Sequence, residues 1–176
     1  NKYFGGTVSF QKHHDEISNY EEDLRNVAKE VFANYSTSMD EFKVAQALLE
    51  VSVLVKRTNK LIDDTFPWDL AKDESKRSVL ESVMYHLLES IRLINIMYIP
   101  ILIESTSKVF EMLNVEEEYQ TFLSYEFGKK NTYHVVKKAE HLFPRLDVEV
   151  EEQNIKAMMD ANKQVEPEEP KIEILP

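Results

Sequence analysis

At 176 residues with 43% hydrophobic side chains, the chain has the size and apolar content of one globular domain plus a tail. It contains no cysteine, which excludes disulfides, thiolate zinc sites and cysteine nucleophiles. Of the net charge of −11, residues 147–176 carry −6 and the rest −5, which excludes nucleic-acid binding by general phosphate attraction and leaves either local contacts or no nucleic-acid binding at all. The chain opens on Asn1 rather than Met and is expected to be a piece of a longer protein. Lys2-Tyr3-Phe4-Gly5-Gly6 lacks the apolar core of a signal peptide. The most apolar window, Ile91 to Ile103, is broken by Arg92, Asn95 and Pro100 and is too short for a bilayer. A cytoplasmic protein without membrane contact is expected.

Only three glycines occur, and between Asp15 and Leu123 the apolar spacing is helical. A first helix is expected from about Ile17 to Tyr35, with Leu24, Val27, Ala28, Val31 and Phe32 on one face and Ser36-Thr37-Ser38 as its break. Ser38 and Glu41 read as a capping box that starts a second helix reaching about Asp63. Its inner face is expected to carry Phe42, Ala45, Leu48, Leu49, Ser52 and Val55. Thr65-Phe66-Pro67-Trp68 then forces a turn, because proline biases Phe66 away from helix. A third helix runs from about Ser75 to Tyr98, Pro100 ends it, and a fourth covers Leu102 to Leu113. Glu116 to Thr132 reads as a short helix and loop around Gly128, and Ala139 to Leu146 as an extended closing segment. The acidic remainder holds three of the six prolines and reads as a linker, with a short helix near Ile155–Ala161 as the exception. The fold class is all-α, a helix bundle.

No catalytic constellation is present. There is no Glu-x-x-His pair for a di-metal bundle, no phosphate-binding glycine loop with lysine, and no nucleophile elbow. The five histidines are scattered apart from His13-His14, which reads as an exposed loop, so no metal site is expected. Glu81 and Glu89 lie on a helix, but nothing orients a pair of carboxylates across a cleft.

The informative stretch runs from Lys56 to Asp73. Lys56, Asn59 and Asp63 fall at i, i+3 and i+7 on one helix face, and Arg57, Lys60 and Lys72 add positive charge. The only tryptophan, Trp68, follows Pro67 in the next turn. An aromatic ring beside amides, carboxylates and lysines is how proteins read unstacked RNA bases. The same residues also suit a plainer arrangement, with Trp68 plugging the end of the bundle and the charges on a solvated face. On the residues alone that arrangement is favoured.

Asn59-Lys60-x-Ile62-Asp63-x-Thr65-x-Pro67-Trp68-x-x-Ala71-Lys72-Asp73 resembles the "NKYIDETEPWALAKD" signature of the methionyl-tRNA synthetase anticodon-binding domain. Asn1-Lys2-Tyr3-Phe4-Gly5-Gly6 is similar to the end of that domain's first helix, "INKYFGG", and Leu142-Phe143-Pro144-Arg145-Leu146-Asp147 to its closing "LFPRID". Pro100 through Phe110 resembles "PFMPETAEKIF", with Ile103 in place of the second proline.

The resemblance covers residues 1–147 and implies a helical anticodon-binding domain there, lacking most of its first helix, with 148–176 as an acidic linker or tail. It implies that Trp68 stacks on an anticodon base of the methionine tRNA, that Asn59 and Asp63 contact or discriminate the anticodon, and that Pro67 fixes the turn. Lys56 and Lys60 complete the candidate site. The family's further Asn and Arg readers lie upstream of the segment matching Asn1. The catalytic domain, its HIGH and KMSKS motifs and the zinc knuckle are not in this chain, so this piece is expected to be non-catalytic and without cofactor. The resemblance implies that ATP, and zinc in the knuckle, belong to the parent synthetase. In some family members the tail leads into a tRNA-binding domain that dimerises, and Lys171-Ile172-Glu173-Ile174 resembles an approach to it. Two rivals stand beside this reading: another class I synthetase with a related helical domain, and a helical protein-interaction module suited to the acidic surface.

Overall fold

A computed structural model of the chain describes residues 2–10, 14–139, 141–143 and 145–163. Asn1, His13, Pro144 and the segment 164–176, with Lys171-Ile172-Glu173-Ile174, lie outside the described residues. The chain divides into two compact units, Asn1–Glu140 and His141–Pro176.

In the first unit a helical hairpin, α1 (Ser18–Asp40) and α2 (Val44–Thr65), packs with α4 (Arg77–Tyr98) and α5 (Ile103–Leu113). α3 (Pro67–Leu70) is a single turn between α2 and α4. The core draws Leu24, Ala28, Val31 and Tyr35 from α1, Val51, Leu54 and Leu61 from α2, and Tyr85, Leu93 and Ile96 from α4. The α1 face follows the expected 3.6-residue spacing.

Three expectations need correction. Ser36-Thr37-Ser38 does not break α1. The Thr37 hydroxyl donates to the Ala33 carbonyl at 3.0 Å, so it is satisfied within the helix. The reversal comes instead at Phe42, whose φ is +58°, and no Ser38–Glu41 capping box forms; α2 starts after Lys43 without a side-chain cap. The buried face of α2 is Ala47, Val51, Leu54, Thr58, Leu61 and Thr65. Of the expected inner face, Phe42, Ala45 and Leu49 are exposed and Leu48, Ser52 and Val55 half-buried. The first half of α2 is apolar on several sides, so periodicity could not select the side that packing uses.

The helices are joined by an element too short to show in periodicity, an antiparallel ribbon of β1 (Thr7–Ser9) and β2 (Thr132–His134) with Val8 opposite Tyr133. The strap before β2 is held by a buried ion pair. Arg92 donates to both Glu89 oxygens, at 2.9 and 2.7 Å, and to the carbonyls of Tyr119, Ser124 and Glu126 at 3.0, 3.1 and 2.9 Å. Glu89 also accepts from the Gly128 amide at 2.9 Å and from the Tyr133 hydroxyl. Burial, reinforced by the Glu89 charge, pushes the Tyr133 phenol far above its ordinary value, so it stays a donor.

In the second unit, α6 (Val148–Lys163) is a 16-residue helix where only a short one was expected. The Asp147 carboxylate caps it by accepting from the Glu149 and Val150 amides at 3.0 and 3.3 Å. No regular element forms in the described residues of Ala139 to Leu146.

Candidate nucleic-acid interface

The last two turns of α2 expose one row of polar side chains. Thr58, Leu61 and Thr65 turn inward; the Thr58 and Thr65 hydroxyls donate to the Leu54 and Leu61 carbonyls at 2.8 and 2.6 Å. Lys56, Asn59, Lys60 and Asp63 are therefore outward and exposed. Asn59 stands about 9 Å and Asp63 about 3 Å along the axis from Thr65, the end of the helix.

At that end the chain turns through Phe66, whose φ of +44° and ψ of 64° are left-handed. Pro67, the first residue of α3, is buried. The Phe66 carbonyl accepts from the amides of Asp69 and Leu70 at 2.8 and 3.2 Å. Leu70 packs against Ile17, Val79 and Val83, which pins α3 to the bundle. With Pro67 and Leu70 inward, the Trp68 ring faces out and keeps 47% of its surface exposed. Its plane lies at 80° to the exposed Phe66 ring, with centroids 5.7 Å apart. Trp68 is not a plug for the bundle end.

Most charge in the stretch is spent locally. Lys60 pairs with Asp64 at 3.0 Å and Lys72 with Asp69 at 2.6 Å. Asp73 accepts from the Ser75 amide and hydroxyl, which holds its carboxyl below the usual range. Arg57, expected to add positive charge to this face, turns away to α1. There it pairs with Asp23 and donates to the Tyr20 carbonyl at 3.2 Å. Among the described residues, the side chains of Lys56, Asn59 and Asp63 make no hydrogen bond or ion pair within the protein. An exposed ring with unspent amide, carboxylate and ammonium groups can stack on a base and bond to its edge; it cannot supply a field that attracts any polyanion.

The structure thus brings Lys56, Asn59, Lys60 and Asp63 onto one row and places Trp68, on its Pro67 pivot, directly after that row's end. Sequence reasoning missed Phe66 as an exposed ring. Its only signal was the proline that follows it, which says the residue is not helical but not which way it points.

Ser82, Glu21 and His86 come together, yet all three are buried. The Ser82 hydroxyl donates to Glu21 at 2.6 Å, and the His86 Nδ1 lies 3.4 Å from Glu21, so these groups are spent on one another inside the core. Glu81 accepts from the Ser9 amide at 3.1 Å, and Glu89 is the buried partner of Arg92. The cleft beside α1 is lined by Arg25, Lys29, Phe32 and Tyr125, none from the recognition stretch. Among the described residues no group of three or more His, Cys, Asp or Glu is placed to hold a metal ion. Among the described residues no helix is long and apolar enough to cross a membrane.

A family model described as the anticodon binding domain of methionyl tRNA ligase matches residues 13–161. The methionine–tRNA ligase of Caldanaerobacter subterraneus is 43% identical over 150 residues, covering 85% of this chain and 23% of that protein. That of Halalkalibacterium halodurans is 39% identical over 174 residues, covering 98% and 26%, and that of Bacillus subtilis 38% over 179 residues, covering 97% and 26%. The chain therefore spans about a quarter of the length of these curated relatives. A crystal structure of Mycobacterium tuberculosis methionyl-tRNA synthetase in its free state superposes with a TM-score of 0.70 at 18% identity, covering 83% of this chain and 29% of that one. At that identity the likeness shows the fold.

Proposed function

The chain belongs to the family of methionyl-tRNA ligase anticodon-binding domains, and we propose that it reads the anticodon of the methionine tRNA. The observation that carries this reading is the Trp68 ring, 47% exposed on a turn anchored by the buried Pro67 and by Leu70. Trp68 stacks on an unpaired anticodon base, Asn59 and Asp63 bond to base edges or exclude other bases, and Pro67 fixes the angle at which the ring leaves the bundle. Lys56 contacts RNA directly, while Lys60 shares its charge with Asp64.

Residues 1–147 act in this proposal as the recognition domain and 148–176 as an acidic linker or tail. The parent enzyme activates methionine with ATP and charges the tRNA in the cytoplasm, using parts outside this chain for ATP and for zinc. It dimerises through a C-terminal tRNA-binding domain. This segment needs no cofactor.

The test uses the single tryptophan. Titration with an anticodon stem-loop carrying the methionine anticodon is expected to quench its fluorescence. A stem-loop differing only in the anticodon should bind about tenfold or more weakly, a difference on the scale of one base contact. Equal binding of the two, or no quenching by either, would contradict the proposal and favour a protein-interaction module.

A further inference from the structure

We propose that Phe66 is a second base-contacting ring, forming with Trp68 a right-angled aromatic corner that receives one unpaired base of the bound RNA. The inference rests on the reading of Trp68 given above. Phe66 keeps half of its surface exposed while its chain neighbours Thr65 and Pro67 are buried. Its backbone is left-handed, a conformation that glycine or asparagine adopts more cheaply than a residue with a bulky side chain. Folding therefore gains little from a phenylalanine here: the ring fills no core and the backbone prefers another residue. Backbone strain of this kind clusters at functional turns, and at Phe66, unlike at Phe42, it coincides with a second exposed ring.

The geometry says what that use is. The Phe66 amide donates to the Ile62 carbonyl at 3.1 Å and its carbonyl accepts from Asp69 and Leu70, so the Cα–Cβ direction is fixed from both sides. The ring planes lie 80° apart with centroids 5.7 Å apart. A flat base lying against one face of such a corner meets the other ring at its edge, an arrangement aromatic quadrupoles favour. A single exposed ring would hold a base by one face; the corner also limits how the base slides and turns. A nucleobase fits this apolar, two-walled site better than a ribose or a phosphate, since among the described residues no lysine or arginine lies over either ring.

Phe42 provides an internal control. It too is a left-handed, exposed phenylalanine, with φ +58°, but it lies at the opposite end of α2 and among the described residues its ring meets no other ring. The experiment compares Phe66→Gly, Phe42→Gly, Trp68→Ala and the double variant Trp68→Ala/Phe66→Gly in the full chain, by thermal melting and by titration with the methionine anticodon stem-loop. Both glycine variants are expected to melt at or above the parent's temperature, because the left-handed strain is relieved. Phe66→Gly should bind RNA about tenfold more weakly, the size of one aromatic contact, while Phe42→Gly binds as the parent does. The double variant should bind several-fold more weakly than Trp68→Ala alone, because Phe66 touches the base itself. Parental affinity in Phe66→Gly, or a double variant no weaker than Trp68→Ala, would overturn the inference while leaving the Trp68 reading intact. Parental affinity in Trp68→Ala as well would overturn both.

Discussion

Two polar regions of the bundle treat their hydrogen-bonding groups in opposite ways. Around Glu89 and Arg92, donors and acceptors are spent inside the protein: one carboxylate takes a guanidinium, an amide and a phenol, and one guanidinium takes the carboxylate and three carbonyls. Along the end of α2, Lys56, Asn59 and Asp63 have no hydrogen bond or ion pair among the described residues, and two aromatic rings in the turn that follows stay half in water. The first region closes the strap onto α4. The second is held in place by others, through Pro67, Leu70 and Arg57, and does little holding itself. Charge and exposure alone would not separate them; what separates them is whether the polar atoms are already used.

If that contrast is right, variants in the two regions should move different measurements. The largest effect is expected for Glu89→Ala, which strands a fully buried guanidinium. Breaking a buried pair from one side costs about 3–5 kcal/mol, read by denaturant unfolding, while RNA affinity of the folded protein should hold. A loss under about 1 kcal/mol would mean the belt is no more than a surface ion pair in effect. Asn59→Ala should do the reverse, leaving stability within about 0.5 kcal/mol and costing roughly 0.5–1.5 kcal/mol of RNA affinity, seen as a shifted titration midpoint. A melting-temperature drop without an affinity change would place Asn59 among the structural residues.

The smallest effect is expected at Glu116, on the strap side of the comparison. Its hydrogen bond from the buried Lys130 holds the Glu116 carboxyl below its ordinary value of 4.5. A folded value below the unfolded one means the contribution is complete above about pH 4.5 and is lost as pH falls through the folded value. Glu116→Gln should therefore flatten the acid side of the stability profile slightly, with RNA affinity unchanged at neutral pH. An unaltered acid limb would mean the pair contributes nothing.

Much of this was legible in the residues. Helical spacing places α1 with its buried face, and Pro100 ends α4 where it reads as a stop. Asn59, Asp63 and the Pro67-Trp68 pair stand out because their types suit base reading, and the resemblance names the same positions. Other features were not readable for identifiable reasons. A helix apolar on several sides, like the first half of α2, leaves the choice of inner face to tertiary packing. The ribbon joins three-residue strands far apart in sequence, below the reach of local pattern. Arg92 looks like an interruption in an apolar window until Glu89, three residues earlier, is seen to be buried with it. Arg57 sits one residue from Lys56, and that one step turns it from solvent to α1. Phe66 carries its information in a backbone angle, which residue type does not reveal.

If the bundle carries the fold and Trp68 carries recognition, Trp68→Ala separates the two most directly. Melting and stem-loop titration are measured on the same preparation. The expected result is a stability change within about 1 kcal/mol, with RNA affinity lower by about 10- to 100-fold, corresponding to a stacking contact of roughly 1–3 kcal/mol. A destabilisation of about 3–5 kcal/mol with unchanged RNA affinity would contradict it and make the ring a core plug after all.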